Sequence, residues 1–164
     1  PPMTSHPRTT KPRKPLYTPE ERVRRDASYW TTVQGVLAPA QFLVFAISLG
    51  LVLNYMLTGN GYGAATISIL IKTAFLLTIM VTGAIWEKVV FGQYLFAPAF
   101  FWEDVFSFAV IALHTAYVVA LLADAMSPAG LMTVALLAYT AYVINAGQFL
   151  WKLRIARLDA EATA

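Results

Sequence analysis

The chain has no cysteine among its 164 residues. That absence excludes a disulfide framework, a thiolate metal site and an iron–sulfur cluster, and leaves the redox compartment open. Charge is almost as scarce. Charged residues make up 13% of the chain and apolar residues 58%, against roughly 25% and 45–50% in a soluble domain. Of the 21 charges, ten lie in residues 1–30 and five in 152–164. Six remain for the 121 residues between: Lys72, Glu87, Lys88, Glu103, Asp104 and Asp124. A stretch that poor in charge is not a water-facing surface. Composition therefore excludes a soluble enzyme, a disordered chain and a nucleic-acid binder. The net charge of +3 sits in the tails, where it reads as membrane-surface charge. Histidine is rare too: His114 is the one histidine outside the N-terminal tail, so two axial haem ligands are not available. No His/Asp/Glu set has zinc or di-iron spacing. No secretory signal peptide is expected, since the first apolar run begins near Val33 and is too long for one. Because the first residue is Pro1, a slightly longer, processed product is expected.

What the sequence does have is four long apolar segments. They cover about 32–57, 62–90, 102–125 and 129–153, and each has the roughly 20 residues that cross a bilayer. The links at 58–61 (Thr-Gly-Asn-Gly) and 126–128 (Met-Ser-Pro) are short, so the segments pair as two antiparallel hairpins. The fold class is an all-α integral membrane protein with four transmembrane helices and a short N-terminal interfacial helix. Residues 1–30 form a basic tail, Pro-rich at first. Thr18-Pro19-Glu20-Glu21 then starts a surface helix over about 20–26, with Thr18 as N-cap. Residues 31–153 form the membrane domain, and 154–164 a second tail. Lys and Arg number seven in the first tail, one at 86–103, three at 152–164, and none in the other two links. That bias puts both termini and the 91–101 link in the cytoplasm.

Polar groups inside a membrane are costly, so each needs an account. Asp124 ends the third segment and reads as interfacial. Lys72 lies about 15 Å into the second segment, and should face a carboxylate, a polar cavity or a ligand. Glu87, Lys88, Glu103 and Asp104 gather at the cytoplasmic mouth. Acids in the first turn of a helix suit its dipole. Three acids against one lysine is still an excess of negative charge, and such an excess leaves a protonated acid available near neutral pH. Glu103 and His114 are eleven residues apart, about 20° from eclipsed on a helix, so they share a face with Ser107. Gln34, Gln41, Ser48 and Tyr55 recur at sevens, and Asn145, Gln148 and Lys152 share a face. Such stripes glue helices together or line a polar interior. Residues 86–108 hold nine of the 22 aromatics. A flat aromatic ligand entering from the interface suits rings such as Trp86, Phe101 and Trp102.

Several strings carry a resemblance. They are Leu16-Tyr17-Thr18-Pro19-Glu20-Glu21-Arg22, Val33-Gln34-Gly35-Val36-Leu37-Ala38-Pro39 with Gln41-Phe42, and Ile85-Trp86-Glu87-Lys88-Val89-Val90-Phe91-Gly92. They continue with Leu95-Phe96-Ala97-Pro98-Ala99-Phe100-Phe101-Trp102-Glu103-Asp104, Leu113-His114-Thr115-Ala116-Tyr117, and Tyr142-Val143-Ile144-Asn145-Ala146 with Gln148-Phe149. Together, over about residues 16–158, they resemble the 3-vinyl bacteriochlorophyllide (chlorophyllide) hydratase family of phototrophic bacteria. The resemblance implies water addition across the 3-vinyl group of chlorophyllide a, or of its bacteriochlorin counterpart, giving a 3-(1-hydroxyethyl) product. It implies the inner membrane of such a bacterium, and no cofactor, since the magnesium belongs to the substrate. It brings no assigned catalytic residues. The residues themselves offer Glu87 or Glu103 as general acid, with Asp104 ionised nearby. His114 or Gln41 would position water, or His114 would ligate the substrate's magnesium. Gln41, Lys72, Trp86, Lys88, Phe101, Trp102, Asn145 and Gln148 are the expected substrate contacts. Arg22, Arg24, Arg25, Lys88 and Lys152 are candidates for a propionate carboxylate. Expected partners are the chlorophyllide, water and lipid. A homo-oligomer is also expected, because four helices enclose little space for a macrocycle. Two other readings are a non-catalytic pigment-binding or assembly subunit, and a small transporter or proton-pathway subunit.

Overall fold

The computed structural model describes residues 13–163, and all of their regular structure is helical. The Pro-rich start of the N-terminal tail lies outside the described residues. Helix α1 (Pro19–Ala27) begins where the sequence predicts. The Thr18 hydroxyl accepts from the Glu21 N–H at 3.2 Å, and the Glu21 side chain reaches back to complete the capping box. Four helices long and apolar enough to cross a membrane follow: α2 (Tyr29–Thr58), α3 (Tyr62–Phe91), α4 (Phe101–Leu122) and α5 (Pro128–Ala162).

The ends of these helices differ from the sequence boundaries for local reasons. Helix α2 starts at Tyr29 because Ser28 caps it, its hydroxyl accepting from the Trp30 N–H. Helix α4 stops at Leu122. Asp124 follows it at φ 50°, exposed, in a left-handed conformation that Asp tolerates. Helix α5 runs on to Ala162, so residues expected as a tail continue the helix. Nothing between Leu153 and Ala162 breaks it; the segment has neither Gly nor Pro.

Helix α2 lies along α3, and α4 along α5. The pairs meet through α2 and α5, where Phe45 packs on Tyr139 and Tyr142 at 5.3 and 5.0 Å between centroids. Val52, Ile69, Val110, Tyr117 and Met132 fill the core around that contact. At the other end, Gly92 takes φ 86° and closes α3, its N–H donating to the Lys88 carbonyl. The chain then crosses to α4 through a single 3₁₀ turn, Pro98–Phe100.

The segment before and including α1 straps across this end. Tyr17 is buried, stacked on Phe91 at 5.7 Å, with the Arg25 guanidinium 4.6 Å over its ring. Burial raises the pKa of its hydroxyl from the ordinary value, so it stays a neutral phenol. The Arg24 guanidinium donates to the Val90 carbonyl at 2.8 and 3.0 Å, where α3 has run out of its own donors. Asp159 near the end of α5 accepts from the Leu16 N–H at 2.9 Å and pairs with Arg13. The extension of α5 thus holds the strap. Asp159→Ala should release it, weakening its closure by about 1–3 kcal/mol for the lost charged acceptor. Limited trypsin digestion checks this: faster cleavage after Arg13 is expected, with helix content unchanged. Unchanged cleavage would show that Asp159 holds nothing.

Candidate functional site

The mouth of the bundle is built by the end of α3, the start of α4 and the 145–152 stretch of α5. It gathers the three acids. Glu87, Glu103 and Asp104 are 4%, 6% and 5% exposed. The Glu87 carboxyl meets the Asp104 carboxyl across α3 and α4, with the Ala97 backbone beside it. Two buried carboxyl groups facing each other resist ionising together. Asp104 also accepts from the Phe96 N–H at 2.9 Å. That amide supports negative charge on Asp104. Phe96 sits at φ 61°, a costly conformation for a bulky residue, and the turn it makes delivers this N–H.

Glu103 faces the other way, toward α5. One carboxylate oxygen lies 3.5 Å from Lys152 Nζ. Lys152 also donates to the Ala99 carbonyl at 2.6 Å. The Asn145 amide donates to the Glu103 carbonyl at 3.1 Å and to Gln148 Oε1 at 3.0 Å. Ser107 Oγ stands 3.0 Å from Asn145 Oδ1. Asn145 and Gln148 are thus occupied in fixing the first turn of α4, which makes them positioning residues. Gln41 on α2 is 2% exposed and one turn toward the mouth from Phe45. Asn145 lies three residues mouthward of Tyr142, the ring that Phe45 touches, so Gln41 and Asn145 face one level.

Three buried polar atoms here find no hydrogen-bond partner in the protein: Glu87 Oε2, Glu103 Oε2 and Gln41 Nε2. Buried polar groups are nearly always paired, so three orphans at one end mark a place for a polar guest. Among the described residues, no three His, Asp or Glu side chains gather as metal ligands.

The aromatic run divides in two. Trp86, Phe91 and Phe100 pack on one another and on Tyr17 and Phe149, and Trp86 Nε1–H donates to Thr31 Oγ1 at 2.9 Å. These rings plug the end of the bundle and anchor the strap. Phe96, Phe101 and Phe108 form a second patch on the outer face, with Trp102 71% exposed at its edge. The expected contacts Phe101 and Trp102 therefore flank the acids from outside, and Trp86 is structural. Lys88 is exposed and donates to the Gly92 carbonyl at 2.9 Å, away from the acid pair.

Lys72 and His114 form a separate layer. His114 is ten residues beyond Asp104 on α4, about 15 Å along the axis, and Lys72 is about 22 Å from Glu87 along α3. The shared face of Glu103 and His114 is real, yet their rise keeps them apart. His114 Nδ1 lies 2.8 Å from the Val110 carbonyl, which only accepts, so Nδ1 carries the proton. Nε2 then points its lone pair at Lys72 Nζ, 3.4 Å away, and is not free for magnesium. Lys72 faces no carboxylate. It is fully buried, with Nζ 3.7 Å above the Tyr142 ring and 5.8 Å from Tyr139. Tyr139 in turn bonds Ser48 at 2.5 Å, and Ser48 bonds Ser68. The cage residues Tyr139 and Tyr142 carried a readable signal: they extend the Asn145–Gln148–Lys152 face of α5 by two turns. Phe96 and Tyr17 carried none, since neither residue type announces a positive φ or a strap.

The comparisons with known proteins agree with one another. The family model described as 2-vinyl bacteriochlorophyllide hydratase matches residues 17–155. A 2-vinyl bacteriochlorophyllide hydratase of Cereibacter sphaeroides is 75% identical over 152 residues, covering 92% of this chain and 94% of its own. That of Rhodobacter capsulatus is 71% identical over 151 residues, covering 90% of this chain and 86% of its own. No solved structure matches.

The separation of the layers gives a prediction. Lys72→Met should fold and keep its turnover, with stability lowered by no more than about 1–3 kcal/mol, the cost of leaving His114 Nε2 without its partner. Tyr142→Ala should instead destabilise by about 3–5 kcal/mol as the cage empties. Thermal melting in detergent with a parallel activity assay checks both. An intact but inactive Lys72→Met would return the lysine to the site.

Proposed function

The chain belongs to the 2-vinyl bacteriochlorophyllide hydratase family, and from that premise we propose how its own residues add water to the vinyl group. The family makes it an enzyme, a hydratase of bacteriochlorophyll synthesis. The substrate proposed is chlorophyllide a or its bacteriochlorin counterpart; "2-vinyl" and "3-vinyl" name one substituent under two ring-numbering conventions. No cofactor is proposed beyond the substrate's own magnesium. The membrane proposed is the inner membrane of a phototrophic bacterium, with the mouth and both termini on the cytoplasmic side. The tail charges support that orientation, as does the pairing of Arg13 with Asp159, which puts both ends of the chain at one end of the bundle.

The orphaned oxygens of Glu87 and Glu103, with the Gln41 amide between helices, carry the mechanistic reading. Protonation of a vinyl group at its terminal carbon leaves a cation on the inner carbon, delocalised into the macrocycle. Here Glu87 carries the proton and delivers it, which leaves two carboxylates, Glu87 and Asp104, beside the new cation until the proton of the added water returns. Glu103, paired with Lys152 at 3.5 Å, offers a second carboxylate to the cation. Glu103 Oε2 and Gln41 Nε2 hold water on the inner carbon, one accepting and one donating. As water adds, its extra proton returns to the Glu87–Asp104 pair, so the site ends as it began. His114 has no role in this sequence, because its Nε2 is committed to Lys72.

The test is incubation of purified protein with chlorophyllide a, followed by chromatography and mass measurement for the gain of one water. In heavy water the new methyl group should carry one deuterium. Glu87→Gln should lower kcat by about 10²–10⁴, the range of a general acid, with less effect on KM. Asp104→Asn should lower kcat as well, because it removes the partner that holds the proton in place. A well-folded Glu87→Gln enzyme with normal turnover would refute the assignment of the acid.

A further inference from the structure

A groove of about 340 Å³ lies beneath the strap, beside the acid site. Leu16 and Lys14 of the strap form one wall, Phe91 and Ala99 the floor, and Lys152 of α5 the inner end. Resting on the hydratase reading above, we propose that this groove seats the carboxylate arm of the substrate, with Lys152 and Lys14 as its cations.

Size supports an arm rather than a ring. Pockets that enclose a whole drug-sized ligand span about 300–1,000 Å³, so this groove has room for one edge of a macrocycle. Chemistry supports a carboxylate, since a chlorophyllide is by its name the free acid. The other candidate cations already have partners, and none of them lines the groove: Arg22 donates to Thr163 Oγ1 at 3.3 Å. Arg24 spends its guanidinium on the Val90 carbonyl, Arg25 lies over Tyr17 and pairs with Asp26, and Lys88 donates to Gly92 outside. Lys152 has three donors and uses two, on Ala99 and, at a long 3.5 Å, on Glu103. Its third is available to the groove. Lys14 is exposed on the opposite wall. The acid on the lining, Glu21, is turned to the Thr18 N–H in the α1 capping box. The aromatic floor suits a ring edge, and the Lys152–Glu103 contact joins the groove to the acids. One lysine would thus touch both the carboxylate arm and Glu103.

The experiment compares chlorophyllide a with its propionate methyl ester on the full-length enzyme, on Lys14→Gln, and on the Lys14→Gln/Lys152→Gln double variant. For the unmodified enzyme, KM for the ester should exceed that for the acid by at least about tenfold, the loss of a charge-assisted contact. Lys14→Gln should narrow the ratio, and the double variant should bring it to one. Folding of each variant is read from helix content and thermal melting in detergent, because Lys152 also pairs with Glu103 and its loss can lower turnover on both compounds while leaving their KM ratio readable. Equal KM values for acid and ester on the unmodified enzyme overturn the groove assignment, whether the lysines then bind lipid phosphate or nothing. A ratio that persists in the double variant overturns it too. Failure to hydrate either compound would instead strike the hydratase reading itself, so the two failures are distinguishable.

Discussion

Glu87 and Asp104 put two carboxyl groups in contact across α3 and α4, at an end of the bundle where each is nearly sealed from water. Much of the architecture of the mouth follows from making that contact tolerable. Gly92 ends α3 with a left-handed turn, which starts the chain on its way across to Asp104. Phe96 accepts a strained φ and supplies an N–H to the anion. The first turn of α4 places its unpaired N–H groups and positive dipole end under Glu103 and Asp104. Asn145 grips the Glu103 carbonyl so that this turn stays in place. Without these donors, two acids at that depth would cost several kcal/mol or pull water in.

The same chain shows what a settled buried charge looks like. Lys72 sits deeper than any of the acids and is fully enclosed, yet its surroundings are complete: an imidazole lone pair, the face of Tyr142, and a hydroxyl chain through Tyr139, Ser48 and Ser68. No atom of that cage is left waiting. At the mouth, Glu87, Glu103 and Gln41 each keep a buried atom unpaired. Depth and charge alone would rank Lys72 first as a functional residue. Satisfaction ranks it below the acids, because a closed network holds helices together while an open one has capacity for a guest.

How much of this could be read in the sequence depends on the kind of signal. The four helices were legible because apolar runs of that length have few other solutions, and the links between them are too short for anything but a return. The acid cluster was legible because charge is rare enough in 31–151 that four charges near two helix ends stand out. Helical periodicity put Glu103 and His114 on one face, which they share, but a wheel projection discards the rise that separates them. The aromatic run read as a ligand surface because sequence cannot tell which rings face one another. Trp86, Phe91 and Phe100 are spent on Tyr17, 69 to 83 residues away. The end of α5 at Ala162 was missed for a related reason. Charges at Lys152, Arg154 and Arg157 mark where a helix leaves hydrocarbon, not where it stops, and Asp159 was needed beyond that point to hold the strap.

The proposed position of the acid, at the mouth and not at the bilayer centre, fits the demands of vinyl hydration. A carbocation on the substrate is captured by whatever nucleophile reaches it, so the site must admit one water and shield the cation from others. It must also take up an amphipathic molecule whose ring belongs in lipid and whose carboxylate belongs in water. Midway through the membrane, water and the carboxylate are both excluded. At an open surface, the acids would be fully solvated and would share no proton. The mouth lies between these extremes, and the plug of Tyr17, Phe91, Phe100, Trp86 and Phe149 seals its watery side. On this reading the strap is part of the catalyst even though no residue of it touches the acids. The extension of α5 serves the chemistry by the same route: Asp159 holds the strap, the strap carries Tyr17, and Tyr17 completes the wall that keeps bulk water from Glu87 and Asp104.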